Sequence, residues 1–259
     1  MADTAKTIIH LGAALHVTVS GRSDAPAVLL LHGGLGSKDD FAPLLPRLQQ
    51  AFHVIALDSR GHGRSTLGDV PLSYAQLAAD ARHVLQTLGV ARCAVIGFSD
   101  GGIAAYRLAA EHAGLERLIT VGAHWHSRQL RDIRPMYEAL DEAFARENMP
   151  TQVAAYLAQN PAPDLPRLLA SLKALWLDTS AKGYPDALVD QIQVPLLSLR
   201  GEDDFLLSLP DWAALKERLP HAHLMQVPFA AHEAIAEQPD MVWAALQAFF
   251  ATPGDEGRP

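Results

Sequence analysis

The chain has 259 residues, 49% hydrophobic and 19% charged, which excludes a disordered chain and suffices for a large core without disulfide or metal staples. Lys and Arg number 21 against 29 Asp and Glu, a net charge of −8 that argues against the clustered positive surface used to bind nucleic acid. One cysteine, Cys93, excludes an intrachain disulfide and fits a reducing, cytoplasmic setting, and no apolar run reaches the ~18 residues of a membrane span.

In chain order, the first residues read poorly as a signal peptide, because Asp3 is acidic and His10 and His16 interrupt the apolar stretch. Thr7–His10 and Leu15–Val19 read as an antiparallel hairpin at a sheet edge. Three short apolar runs follow: Ala27–Leu31 leads into His32-Gly33-Gly34, Val54–Leu57 into Asp58, and Ala94–Ile96 into Gly97-Phe98-Ser99. Each is apolar on both parities, as expected of strands buried on both faces. Ser73-Tyr74-Ala75-Gln76 reads as a capping box opening a helix to about Leu88, with Gly89 ending it. Further strands are expected at Leu118–Val121, Pro195–Leu199 and His223–Val227, and a last helix at Pro239–Phe250. Strand–helix alternation predicts an α/β fold, a mostly parallel twisted sheet with helices on both faces. From His124 to Gln191 only helical patterning occurs, broken by Pro135, Pro150, Pro161, Pro163, Pro166 and Pro185. A connection this long calls for structure of its own. Residues 124–191 are therefore read as an inserted helical cap, and residues 1–123 and 192–259 as the core domain. The tail Thr252–Pro259 is expected to fray.

The strongest chemical signal is Gly97-Phe98-Ser99-Asp100-Gly101-Gly102, between an apolar strand and the helical pattern IAAYRLAAEHA. G-x-S-x-G in that context marks a strand-to-helix turn sharp enough to strain and expose its serine, with a helix N-terminus facing any oxyanion formed there. A nucleophilic serine needs a base, and the base an orienting acid. His232, after the last strand and before the last helix, is the expected base. Glu202-Asp203-Asp204 follows the preceding strand; Asp204 is the expected acid, with Asp203 the alternative. The Asp100 N–H and one from the glycine turn, Gly34 with Leu35 as runner-up, are the expected oxyanion donors. That turn does not match a phosphate loop, since neither G-x-x-x-x-G-K-[ST] nor G-x-G-x-x-G is present.

Together with Asp58-Ser59-Arg60-Gly61-His62-Gly63-Arg64-Ser65, similar to a D-x-R-G-x-G-x-S structural turn, and with Glu237-Gln238-Pro239, these motifs resemble the α/β-hydrolase superfamily over nearly the whole chain. The resemblance implies a serine hydrolase acting on a small-molecule acyl substrate, a carboxylic ester first, through an acyl-enzyme and without cofactor. Lactone, amide or C–C hydrolysis and cofactor-free perhydrolysis on the same residues are alternatives, and a non-catalytic binding protein is the alternative of another class. Ser99, rather than aspartate, at the elbow disfavours dehalogenation and epoxide opening. Ser-Asp-Gly-Gly resembles the elbow of the biphenyl-hydrolase-like branch, which includes amino-acid ester hydrolases. Asp100 could thus favour a substrate ammonium, or simply stabilise the helix N-terminus. Leu35, Asp100, His124 and Trp125 are expected to contact substrate. His124 and His126 lack a third partner for a metal. Trp176, Tyr137, Phe144 and Tyr156 are read as core aromatics, and Cys93 as a small buried hydrophobe.

Overall fold

A computed structural model describes residues 3–252. The expected frayed tail lies, beyond Thr252, outside the described residues. Eight strands form one sheet: β1 (Thr4–His10), β2 (Ala13–Gly21), β3 (Ala27–Leu31), β4 (His53–Leu57), β5 (Cys93–Phe98), β6 (Leu115–Val121), β7 (Leu196–Gly201) and β8 (His223–Val227), in the order β1-β2-β4-β3-β5-β6-β7-β8. β1 and β2 are the expected edge hairpin; β2 also runs antiparallel to β4, and every other pairing is parallel.

The two-sided burial of the central strands shows in where successive side chains go. On β3, Leu29 and Leu31 join a core cluster with Val95, Leu77, Val84 and Ile103, whereas Val28 and Leu30 join a second cluster with Ile96, Leu48, Val242 and Leu246. Alternation along one strand thus feeds both faces, as the period of two requires. α1 (Leu45–Ala51) and, at the end of the chain, α11 (Pro239–Ala251) cover the second face. α2 (Tyr74–Thr87) and α3 (Asp100–Glu111) cover the first. The Ser73 hydroxyl accepts the Gln76 N–H at 3.1 Å, but the expected box is only half made, because the Gln76 side chain donates to Asp80 instead.

Between β6 and β7 lie α4 (Arg134–Glu138), α5 (Glu142–Asn148), α6 (Pro150–Gln159) and α7 (Leu165–Leu177), bracketed by 3-10 turns at Ser127–Leu130 and Asp186–Gln191. Pro135, Pro150 and Pro166 open helices rather than break them: each sits in a first turn, where the missing N–H has no intrahelical acceptor to lose. In α7 the Asp164 carboxylate accepts the Arg167 N–H, and Leu165, Leu168, Leu169, Leu172 and Leu175 form the buried stripe. That stripe is continuous with the first core cluster, so these helices share their core with the sheet. After β7 come α8 (Leu209–Ala213) and α9 (Leu215–Arg218), and after β8 comes α10 (Ala234–Glu237). Among the described residues no helix is long and apolar enough to cross a membrane.

Candidate active site

The turn from β5 into α3 forces Ser99 to φ 49°, ψ −118°, a backbone region that a non-glycine residue occupies only when its surroundings impose it. Close approach explains the flanking glycines. A Cβ on Gly97 would lie 2.6 Å from Gly102 Cα, and one on Gly101 would press into the Leu31 and His32 carbonyls at the end of β3. The elbow therefore sits against the neighbouring strand with no room for a methyl group.

His232 Nε2 lies 3.0 Å from Ser99 Oγ, and His232 Nδ1 lies 3.0 Å from both Asp204 carboxylate oxygens. With Nδ1–H donating to the carboxylate, Nε2 is left as acceptor for the serine hydroxyl. Asp204, in the loop after β7, is buried; burial by itself would raise its pKa. The His232 hydrogen bond and charge, and the Leu207 and Leu206 N–H groups, outweigh that and hold the carboxyl below the usual aspartate value. Asp203, its sequence alternative, is exposed.

Sequence reasoning missed what holds the acid in place. The buried Arg200 guanidinium donates to the Leu207, Gly201, Glu202 and Asp204 carbonyls and so clamps the loop that carries the carboxylate. An arginine in a strand flanked by Leu199 and Gly201 was the available signal, since a buried guanidinium must find acceptors.

Gly34 and Asp100 line the same cavity as Ser99, and among the described residues no acceptor takes either backbone N–H. The Asp100 side chain, although Asp100 lines the cavity, is already engaged within the protein. Its two oxygens accept Tyr74 Oη–H at 2.8 Å and Trp176 Nε1–H at 2.7 Å, and burial raises its pKa against those stabilising bonds. Gly34 packs beside that pair: a Cβ there would fall on Asp100 Oδ2 and lie 2.8 Å from Trp176 Cζ2.

The cavity over Ser99 measures about 460 Å³. Tyr137 belongs to the first core cluster as expected, with Trp176 and Phe144 packed against it, and all three also line this cavity, because α4, α5 and α7 turn one flank toward that cluster and another toward the cavity. His124 and Trp125, expected to contact substrate, are buried and do not line it. His124 donates through Nε2 to the Leu206 carbonyl at 2.9 Å, its pKa lowered to about 4 by burial, and Trp125 Nε1–H donates to the Asp211 carbonyl. Leu35 is buried with φ 57° and lines a separate compartment of about 240 Å³, together with Tyr156. The Asp58 carboxylate accepts the Lys38 and Arg64 N–H groups, and Arg60 pairs with Asp80, which makes that motif a structural turn. Among the described residues no group of three or more His, Cys, Asp or Glu side chains is placed to hold a metal ion.

A family model described as alpha/beta hydrolase fold matches residues 26–175. "Putative carbamate hydrolase RutD" of Caulobacter vibrioides is 30% identical over 250 residues, 86% of this chain and 90% of that one. The "sn-1-specific diacylglycerol lipase ABHD11" of Danio rerio is 26% identical over 247 residues, covering 85% and 76%. Among solved structures, the enol-lactonase from Burkholderia xenovorans LB400 superposes with a TM-score of 0.73 at 21% identity, covering 93% and 97% of the two chains. With the sheet order, the elbow and these matches in agreement, the chain belongs to the alpha/beta hydrolase family and is a hydrolase.

Proposed function

We propose that the chain is a serine hydrolase that cleaves small-molecule carboxylic esters through an acyl-enzyme, with residues 124–191 acting as a helical cap over the core formed by 1–123 and 192–259. The observation that carries this reading is the continuous relay from Asp204 through His232 to Ser99, every link at 3.0 Å. His232 Nε2 takes the Ser99 proton as Oγ attacks the ester carbonyl. The resulting oxyanion lies against the Gly34 and Asp100 N–H groups and the N-terminal end of α3. Asp204 fixes the tautomer and stabilises the imidazolium. The imidazolium then protonates the departing alkoxide, and water, deprotonated by His232, attacks the acyl-enzyme to release the acid and restore Ser99.

The curated relatives are named for carbamate and acylglycerol hydrolysis; both reactions pass through the same kind of tetrahedral intermediate, which supports acyl transfer to water without choosing the leaving group. Steady-state and pre-steady-state hydrolysis of p-nitrophenyl acetate tests the reading. Wild type is expected to give a burst of p-nitrophenol followed by turnover, and Ser99→Ala to give neither. Turnover by folded Ser99→Ala at the wild-type rate would overturn it.

A further inference from the structure

The mechanism above uses the Asp100 N–H but not the Asp100 carboxylate. That carboxylate is buried, and its two oxygens are taken by neutral donors, Tyr74 Oη–H on α2 and Trp176 Nε1–H on α7. No lysine or arginine pairs with it among the described residues, and burial raises its pKa against the Trp176 and Tyr74 hydrogen bonds and the His32 and His232 charges. A carboxyl group withdrawn from water without a cation costs stability that an apolar side chain of similar size would not. Stability alone therefore does not account for an acid at this position.

The carboxylate touches both proposed oxyanion donors. Its own residue carries one N–H, at the start of α3. Gly34, which carries the other, packs on Asp100 Oδ2 and on the Trp176 indole: a Cβ there would fall on the first and lie 2.8 Å from Cζ2 of the second. The indole is itself fixed. Tyr184 Oη–H donates to the Trp176 carbonyl at 2.8 Å, and the Tyr137 ring lies against the indole with centroids 4.8 Å apart. Arg107, on the same helix as Asp100, donates to the Ala181, Gly183 and Tyr184 carbonyls, and the Ala75 N–H of α2 donates to the Lys182 carbonyl. Thus α2, α3 and the stretch that ends α7 are tied together around one carboxylate beside Gly34. A hydrogen-bond donor lowers a barrier only if it is already aimed where charge develops, so fixing these two amides bears on rate.

We propose that the Asp100 carboxylate, with Tyr74 and Trp176 holding it, positions the oxyanion hole, so that α7 of the 124–191 insertion sets the reactivity of Ser99 through the alignment of the Gly34 and Asp100 amides. This rests on the serine-hydrolase reading and extends it from the relay to the groups that aim the oxyanion donors. Tyr74, Trp176 and the Asp100 side chain are positioning residues: they act through the two amides.

Tyr74→Phe is the cleanest probe, because Tyr74 does not line the cavity and the variant keeps its ring. In p-nitrophenyl acetate hydrolysis its kcat is expected to fall about tenfold, part of the 10²–10³ that a whole oxyanion donor supplies. Acylation and deacylation both pass through an oxyanion, so KM should change little. Asp100→Leu should lose about a hundredfold in kcat, and Asp100→Asn, whose amide still offers an oxygen to Trp176 and an N–H to Tyr74 Oη, should recover most of that loss. A pair of ligands separates positioning from general loosening. A trifluoromethyl ketone bonds Ser99 Oγ at its carbonyl carbon, the carbonyl electron pair moving onto oxygen and the serine proton to His232, and so reads the aligned amides. The corresponding trifluoromethyl alcohol forms no such bond. Tyr74→Phe is expected to weaken the ketone about tenfold and to leave the alcohol bound as in wild type, with urea unfolding run alongside. A folded Tyr74→Phe with wild-type kcat, equal losses for ketone and alcohol, or Asp100→Asn as slow as Asp100→Leu would overturn the inference, while a wild-type p-nitrophenyl acetate burst leaves the hydrolase reading standing. Absence of that burst in wild type overturns both.

Discussion

Gly34→Ala probes the proposed oxyanion hole without touching any of the three relay residues. The new Cβ would fall on Asp100 Oδ2 and within 2.8 Å of Trp176 Cζ2, closer than real Cβ contacts come. Neither neighbour can step aside freely. Asp100 is held between Tyr74 and Trp176, and Tyr184 in turn donates to the Trp176 carbonyl at 2.8 Å. The strain is therefore relieved by moving the Gly34 backbone, and its N–H, away from the reacting centre. Loss of one oxyanion donor costs about 10²–10³ in kcat, or roughly 3–4 kcal/mol of transition-state stabilisation. Overpacking of this kind costs about 1–3 kcal/mol of stability. Steady-state kinetics on p-nitrophenyl acetate, with urea unfolding alongside, separates the two effects: kcat should fall by about two orders of magnitude with KM changed little. A folded Gly34→Ala variant within threefold of wild-type kcat would refute the role given to that amide.

Trp176→Phe removes the donor to Asp100 Oδ2 and leaves a buried carboxylate oxygen unpaired, so unfolding free energy should drop by about 1–3 kcal/mol; an unchanged urea midpoint would contradict the contact. Asp204→Asn should lower kcat by about 10⁴ by favouring the wrong His232 tautomer, read from the same ester assay. Because the folded Asp204 pKa is depressed, its stabilising contribution is complete above the unfolded value near ~3.9 and is lost as pH falls through the folded value. The stability gap between wild type and Asp204→Asn should accordingly shrink in acid. Cys93 is buried, with its thiol pushed up to about 12 by burial and then by Glu116. Native protein at pH 8 should therefore resist iodoacetamide, and urea-unfolded protein should be alkylated, as mass spectrometry will show.

Elements whose logic is local were readable from the sequence. The β3, β4 and β5 runs, apolar on both parities, lie in the centre of the sheet, and the Gly97–Gly101 elbow declares its own turn because glycine is the residue that fits there. Ser99, Asp204 and His232 were legible by order along the chain, and the fold brings them into hydrogen-bond distance. What was not legible depends on distant partners. Asp100 invited a substrate-binding role until the structure set Tyr74, 26 residues away, and Trp176, 76 residues away, against its carboxylate. His124 and Trp125 leave the carboxyl edge of the sheet, where ligands bind in such folds, yet both are buried with their ring N–H groups taken by the distant Leu206 and Asp211 carbonyls. No spacing along the chain encodes which flank of α4, α5 or α7 faces the cavity. That is decided by how the helices pack over Ser99.

The central claim is that Ser99 is the nucleophile, and covalent labelling tests it most directly. A fluorophosphonate should modify wild type once, with the mass shift mapped to the peptide carrying Ser99, and should leave folded Ser99→Ala unmodified. Labelling that persists in Ser99→Ala, or that maps to another residue, would contradict the account.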